Sequence, residues 1–246
     1  WETKTSADQT RRYIFARAEE HMYRKKLVDS QSMRNATIQI ILRTLKETNE
    51  RERVHSDKVS ALCVKIAQAL RLDSQVIKEI ETAGLMHDIG KIAININLLN
   101  KPGKLTEEEY TEVQRHAEVG YQILKSVDIY SPLAESVLSH HENWDGTGYT
   151  GRIDLVTGLA LEKDFEGNPL PLKGDEIPLF GRITALADVY DALSSRRVYK
   201  ESWAEKEVFK EITELSGRKF DPEIVEIFFE CIDVIKSIRE KYPEAE

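Results

Sequence analysis

The segment His87-Asp88-Ile89-Gly90-Lys91 constrains the fold of this chain more than any other stretch. It closes an apolar stripe of helical spacing that includes Ile77 and Ile80, so His87 is predicted to face the protein interior, and Gly90 suits the end of that helix. An ionisable pair in that position needs partners. Side chains of consecutive helical residues diverge by about 100°, so this imidazole and carboxylate can hold two sides of one cation, or two neighbouring cations. For an isolated His-Asp pair, a hydrogen-bonded buried histidine is the commoner explanation. The choice between that explanation and metal binding therefore depends on the rest of the chain.

The other histidines favour metal binding. Four of them also fall on inward faces or at the ends of predicted helices: His55, His116, His140 and His141. Together with His87, Asp88 and Asp188 they offer nitrogen and oxygen ligands and no thiolate. That set is too large for one tetrahedral zinc ion and suits two octahedral ions such as iron or manganese. The alternative is a polar core that only satisfies its own hydrogen bonds, but cores rarely bury so many imidazoles.

Apolar periodicity predicts an all-α fold in two parts. Residues 1–49 are predicted to form N-terminal connecting helices, and residues 50–246 a single helical domain. A capping box from Thr106 to Glu109 marks one helix start. Residues 152–176 hold three glycines and two prolines with little periodicity, which predicts a long irregular loop inserted in the domain.

The C-terminal part is also predicted to be helical. After Pro178 an apolar face resumes, and Asp188 and Asp191 lie three residues apart on another face of the same helix. Two further helices, over about 203–216 and 222–240, are predicted to close the chain.

Composition excludes several classes of function. The formal net charge of -8 over 246 residues argues against a nonspecific nucleic-acid-binding surface, so an anionic partner has to meet a local cationic pocket. No segment has about 20 consecutive apolar residues and no signal peptide is visible, so we expect no membrane span and a cytoplasmic location. Cys63 and Cys231 lack metal-type spacing and are interpreted as reduced core residues. The chain starts at Trp1, which suggests a piece cut from a longer protein.

An ordered series of motifs accompanies the histidines. After the His-Asp pair come Lys101-Pro-Gly-Lys-Leu-Thr106, His140-His-Glu142, Asp145-Gly-Thr-Gly-Tyr149, Ala187-Asp-Val-Tyr-Asp-Ala-Leu193 and Arg196-Arg-Val-Tyr-Lys200. The series covers about residues 50–230 and resembles the HD-GYP domains of the HD phosphohydrolase superfamily. That resemblance implies an HD-domain helical bundle around a di-metal centre that holds iron or manganese. It also implies hydrolysis of the bacterial second messenger cyclic di-GMP.

The resemblance gives each matching residue an expected role. It implies that the metal ligands are His55, His87, Asp88, His116, His140, His141 and Asp188, with Asp88 bridging the ions. It implies that the catalytic groups are Lys91, Asp88 and Asp191. It implies that the substrate contacts are Tyr149, Arg197 and Lys200.

The chemistry of such a centre agrees with this assignment. Two neighbouring cations can activate a bridging water near neutral pH and hold a phosphodiester, while Lys91 offsets charge on the leaving oxygen. In the family that the chain resembles, members with a third metal carry a glutamate four residues before the first ligand histidine, where this chain has Arg51. A fixed positive charge opposes an incoming cation, so we expect two divalent ions and cleavage mainly to linear pGpG. Glu52, three residues before His55, is the alternative ligand for a third ion.

Two departures from the family pattern leave alternatives open. Thr150 stands where the family has the proline of Gly-Tyr-Pro, and the segment before Ile177 is roughly twenty residues longer. One alternative is a non-catalytic cyclic-dinucleotide receptor or signalling module, in which the altered loop blocks chemistry but not binding. The other is an HD-GYP enzyme for a different cyclic dinucleotide.

The expected partners follow from the same comparison of motifs. Cyclic di-GMP is the expected ligand, and no nucleic-acid polymer is expected to bind. Residues 18–27 resemble the closing helix of a diguanylate cyclase (GGDEF) domain, so we expect an upstream sensory or GGDEF-like domain in the full-length protein. The N-terminal helices also offer a surface through which a homodimer could form.

Overall fold

The computed structural model describes residues 11–48, 50–154, 156–157, 159–195 and 203–242. The chain divides into two compact units, residues 1–40 and residues 41–246. The predicted division of the chain after residue 49 stays a prediction, as do the homodimer and the GGDEF-like end at residues 18–27.

The described residues are mainly helical, which confirms the all-α fold. The α-helices are α1 (Arg11–Thr48), α2 (Glu50–Ala69), α3 (Ser74–Met86), α4 (Ile96–Leu99), α5 (Glu107–Gln114), α6 (His116–Lys125), α7 (Ala134–Ser139), α8 (Leu179–Ser194), α9 (Glu205–Glu214), α10 (Pro222–Glu230) and α11 (Ile232–Lys241). Short 3-10 turns cover Ile89–Ala93, Ser131–Leu133 and Gly174–Glu176. Within the described residues, β-structure is limited to isolated bridges. None of the helices described is both long enough and apolar enough to cross a bilayer.

The core of the larger unit is built around α2 and α8. These helices pack on each other, and α3, α10 and α11 pack on α2. Leu186 of α8 and Phe228 of α10 are fully buried, and the rings of Tyr190 and Phe228 meet edge to face at 5.1 Å. Burying a side chain such as Leu186 contributes on the order of 2 kcal/mol, so this packing fixes α2 against α8. His55 and Asp188 are therefore presented by helices whose relative position is set by the core.

A second layer consists of α6, α7 and the turn Ile89–Ala93. Gly90 is required here because a Cβ atom at this position would lie 1.8 Å from the carbonyl oxygen of His116. The prediction that Gly90 ends the preceding helix is wrong, because α3 already ends at Met86 and the glycine instead permits a close approach of two backbones. This approach places the turn that carries Lys91 against the start of α6.

One predicted helix start is confirmed, and one predicted helix is divided in two. The capping box is present, since the Thr106 hydroxyl accepts the N–H of Glu109 while the Glu109 carboxylate accepts the N–H of Thr106. The single helix predicted over about 222–240 is instead two, α10 and α11, because Cys231 leaves helical geometry at φ -105° and ψ 20°. Both helices pack on α2, so the apolar periodicity continues across the break and hides it.

The described residues between 152 and 176 form a long loop, irregular as predicted apart from two isolated bridges and the short turn Gly174–Glu176. The buried carboxylate of Glu142 holds both ends of this loop, because it accepts the N–H of Gly151 at 2.6 Å and that of Leu172 at 3.2 Å. The base of the loop is therefore fixed directly after His141.

Candidate metal centre

The structure brings the predicted metal ligands together in two groups. In each group the ligand atoms lie within 4.8 Å of one another. The histidine-only group is His116, His140 and His141, and the mixed group is His55, His87 and Asp188. The residues come from α2, α6 and α8 and from the ends of α3 and α7, so tertiary packing assembles each group.

Asp88 stands between the two groups. Its Oδ1 atom lies 3.3 Å from Nε2 of His116. Its Oδ2 atom lies 3.1 Å from Nε2 of His87 and 3.7 Å from Nε2 of His55. One carboxylate thus presents one oxygen to each group, which is the arrangement that a bridging ligand requires.

Hydrogen bonds to the protein backbone fix three of the imidazole rings. Nδ1 of His87, His116 and His140 lies 2.8, 2.6 and 2.6 Å from the carbonyl oxygen three residues earlier. A carbonyl only accepts, so each Nδ1 carries the proton and each Nε2 presents a lone pair, as in histidines that bind metals.

The donor atoms fit a divalent cation. Nε2 of His87 is buried and makes no well-oriented hydrogen bond among the described residues, although Oδ2 of Asp88 lies 3.1 Å away. Nε2 of His116 lies 3.4 Å from Nε2 of His140 and 3.2 Å from Nε2 of His141. Neighbouring ligands bound at about 2.1 Å to one octahedral ion are about 3 Å apart, so these nitrogens are close to the spacing that one ion needs.

Burial sets the protonation of two imidazoles of the histidine-only group, His140 and His141. Burial, with a smaller contribution from neighbouring imidazoles, lowers the pKa of His140 well below its ordinary value and that of His141 to about 3. Both rings are therefore neutral at pH 7, as metal ligands have to be.

His55 has the opposite environment. Its Nε2 lies 3.2 Å from Oδ1 of Asp188, and its Nδ1 lies 2.7 Å from Oδ2 of Asp191. Burial by itself lowers the pKa of His55, but the hydrogen bonds with Asp188 and Asp191 outweigh burial and raise the pKa to about 10. A cation between Nε2 and Asp188 has to replace a proton, so its binding releases one.

Asp191 lies behind His55. One of its oxygens contacts Nδ1 of His55, and the other accepts the hydroxyl of Ser195 at 2.9 Å. These are the contacts of a group that orients a ligand histidine. The expected role of Asp191 beside the scissile bond stays a prediction.

Lys91 is held by two carboxylates. Its Nζ atom lies 2.7 Å from Oδ2 of Asp88 and 2.9 Å from Oε2 of Glu52. Burial alone would lower the pKa of Lys91, but Asp88 and Glu52 raise it above its ordinary value. The lysine therefore stays protonated next to the carboxylate that lies between the two groups.

The centre faces a cavity of about 480 Å³, within the roughly 300–1,000 Å³ usual for ligand pockets. Tyr149 lies on its wall and stacks on His141 with ring centroids 4.8 Å apart, and Tyr110 meets Tyr149 edge to face at 6.4 Å. Tyr149 therefore lines the cavity, and its contact with substrate stays a prediction. The two other predicted contacts, Arg197 and Lys200, lie outside the described residues.

Two lysines near the centre were not predicted. Lys58 lies 3.6 Å from Asp191. Lys219 lines the cavity and donates to Oδ1 of Asn143 at 3.3 Å. The position of Lys58, three residues after His55 on one helix, could have indicated it. No local pattern marks Lys219, because it reaches the cavity from the loop between α9 and α10.

Sequence comparisons find relatives of this chain among known proteins. A family model described as HD domain matches residues 35–156 and 162–224. The 3'3'-cGAMP-specific phosphodiesterase 2 of Vibrio cholerae is 35% identical over 192 residues, which cover 77% of this chain and 33% of that protein. A cyclic di-GMP phosphodiesterase of Thermotoga maritima is 38% identical over 208 residues, which cover 82% of this chain and 51% of that protein. The chain thus spans about a third to a half of the length of these relatives.

A solved structure shares the architecture. It is that of Bd1817, a HDG"Y"P protein from Bdellovibrio bacteriovorus, with a TM-score of 0.53 over 94% of this chain and 75% of that one. The sequence identity is 18%, so this likeness concerns the fold.

Proposed function

Because this chain belongs to the HD-domain family, in the HD-GYP branch that the motif series predicted, we propose that it is a metal-dependent phosphodiesterase that hydrolyses cyclic di-GMP. The observation that carries the proposal is Asp88, which presents one oxygen to each of two ligand groups facing a cavity of suitable size. The relative from Thermotoga maritima, named a cyclic di-GMP phosphodiesterase, supports the choice of substrate.

We assign two divalent ions, iron or manganese, to the centre. His116, His140 and His141 would hold one ion and His55, His87 and Asp188 the other, with Asp88 shared. When bound, such ions polarise the phosphodiester oxygens and lower the pKa of an attacking water. Nitrogen and oxygen donors without a thiolate suit iron and manganese.

Lys91 acts on the leaving group in this proposal. Asp88 and Glu52 keep its ammonium protonated and within reach of the centre. A fixed positive charge at that place stabilises the negative charge that develops on the departing 3′ oxygen.

The remaining residues position ligands and substrate. Asp191 keeps the proton of His55 on Nδ1, so that Nε2 faces Asp188. Tyr149 offers a ring to a purine base, and stacking of this kind contributes on the order of 1 kcal/mol. Arg197 and Lys200 are proposed to contact phosphate and guanine.

Glu52 bears on how far the reaction proceeds. Its carboxylate is 2.9 Å from the Lys91 ammonium, so it would have to leave that pair to hold a third ion. Arg51, in the position of the third-metal glutamate, lines the same cavity. Both observations support a two-ion site that cuts cyclic di-GMP once and releases mainly linear pGpG.

Metal analysis and product chromatography on anaerobically prepared protein test the proposal. We expect close to two ions per chain, consumption of cyclic di-GMP and accumulation of pGpG. Three ions with GMP as the dominant early product would contradict the two-ion site and point to Glu52. Assaying 3'3'-cGAMP in parallel is informative because one relative is named for it. Faster turnover of 3'3'-cGAMP would make that dinucleotide the proposed substrate. Binding of a cyclic dinucleotide without formation of product would favour a receptor.

A further inference from the structure

Four of the described lysines line the cavity, and three of them face a carboxylate at ion-pair distance: Lys58, Lys91 and Lys101. Lys219 lines the same cavity, and among the described residues its ammonium has one polar contact, the neutral Oδ1 atom of Asn143 at 3.3 Å. Its positive charge is therefore not matched by a described carboxylate in direct contact.

The backbone around Lys219 is held firmly. The N–H of Trp144 donates to the carbonyl of Lys219 at 3.1 Å, and the N–H of Asp145 donates to the carbonyl of Arg218 at 2.8 Å. The N–H of Lys219 donates to the carbonyl of Leu215 at 2.9 Å. The segment is thus fixed to the loop that follows the ligand pair, and less ordering is required when a ligand binds.

Lys219 and Lys91 have different neighbours in the cavity. The charge of Lys219 interacts electrostatically with those of Asp188 and Asp145. The Lys91 ammonium instead contacts Asp88. Both ammonium groups line one cavity, so a ligand bound there can meet Lys219 as a second cation besides Lys91.

We propose that Lys219 binds a phosphodiester of the cyclic dinucleotide, as a second cationic contact besides Lys91. The inference rests on the proposed function. The chain has a net charge of -8, so an anionic ligand depends on local cations to overcome the overall repulsion. An ammonium that gives up one hydrogen bond to a neutral amide gains more from a phosphate than one already paired with carboxylates.

The test compares Lys219→Gln and Lys219→Arg with the matched control Arg218→Gln, which changes the exposed neighbour on the same loop. For each metal-loaded protein, KM and kcat are measured with cyclic di-GMP over a range of salt concentrations, together with metal content. Equilibrium binding is measured by calorimetry with a phosphorothioate analogue of cyclic di-GMP that resists hydrolysis.

We expect Lys219→Gln to raise both KM and the Kd of the analogue about tenfold and to flatten the salt dependence of KM, with kcat and metal content nearly unchanged. Lys219→Arg should stay within about threefold of the wild type, since it keeps the charge. The control should match the wild type.

Equal KM and Kd values in Lys219→Gln and the control would overturn the inference while leaving the phosphodiesterase in place. So would a loss of kcat accompanied by loss of metal, which would indicate a structural role. A wild type that binds the analogue without cutting cyclic di-GMP would refute the proposed function alone, because the Kd comparison still decides the role of Lys219. A wild type that neither binds nor cuts would overturn both.

Discussion

The two ligand groups of the centre have equal numbers of residues, but the pKa values of their histidines are shifted in opposite directions in His141 and His55. The histidine-only group has imidazoles alone, whereas the mixed group includes Asp188 and lies next to Asp191. As a result the pKa of His141 is lowered to about 3, while that of His55 is raised to about 10. A histidine in one helical bundle can therefore have a low or a high proton affinity, depending on which carboxylates lie within hydrogen-bond distance.

This difference bears on how each group competes for a metal ion. The mixed group attracts a hard cation more strongly through its carboxylate, but it also binds a proton more strongly. His140 and His141 of the histidine-only group meet little competition from protons at neutral pH, because their pKa values are lowered. We therefore expect the two ions to bind with different affinities and different pH dependence.

Removing the residue common to both groups should have the largest effect. Asp88→Ala is expected to lose most of the bound metal and all phosphodiesterase activity, because each group loses an oxygen that faces it. Metal analysis and circular dichroism check this, with Asp73→Ala as a control at an exposed aspartate. Full metal content and turnover in Asp88→Ala would show that this carboxylate does not bridge.

Changing one residue in each group should separate them. Asp188→Asn and His141→Gln are each expected to retain close to one ion per chain and to lose activity at least about 100-fold, because both ions are needed for the reaction. Metal stoichiometry after dialysis distinguishes each variant from the wild type, which is expected to hold two ions. If either single change removes both ions, the two groups do not bind ions independently, and the expected difference in their affinities is contradicted.

The pH dependence of metal affinity should differ between the groups. A ligand histidine has to be deprotonated, and His55 with a pKa of about 10 keeps its proton through the neutral range. Affinity at the mixed group should therefore rise about tenfold per pH unit from pH 6 to 8. At the histidine-only group the affinity should change little, since the pKa of His141, about 3, lies below this range. Chelator competition with His141→Gln and Asp188→Asn reports each group in turn, and equal slopes would contradict the assignment.

The smallest effects should come from changes to two side chains behind His55, those of Asp191 and Ser195. Asp191→Asn is expected to weaken metal binding at the mixed group about 10- to 100-fold, with no change at the other group, because it alters the partner of Nδ1. Ser195→Ala removes only a hydroxyl that donates to Asp191, so a change below about fivefold is expected. The same chelator titrations measure both. A larger effect of Ser195→Ala than of Asp191→Asn would show that Asp191 does not orient His55.

Much of the site follows from helical periodicity. A period of 3.6 residues identifies the inward face of a helix, so His55, His116 and His140 could be predicted to face the core before any contact was known. The order of the motifs then gave the family. Capping residues gave one helix start because their hydrogen bonds are local in sequence.

The features that were missed depend on contacts between distant segments. Gly90 is required by the carbonyl of His116, and Lys219 is held by the N–H of Trp144, neither of which has a periodic signature. The role of Asp191 behind His55 likewise depends on how α8 packs against α2. The break at Cys231 was hidden because the apolar pattern continues through it.

Because the base of the loop at residues 152–176 is fixed, the length of the loop does not change the positions of the metal ligands. Glu142 holds Gly151 and Leu172, so whatever lies between them begins and ends at set points. Closing a flexible loop costs only about 0.6 kcal/mol more for each doubling of its length. Evolution, or an engineer, can therefore lengthen, shorten or replace this segment at little thermodynamic cost while His141 keeps its place.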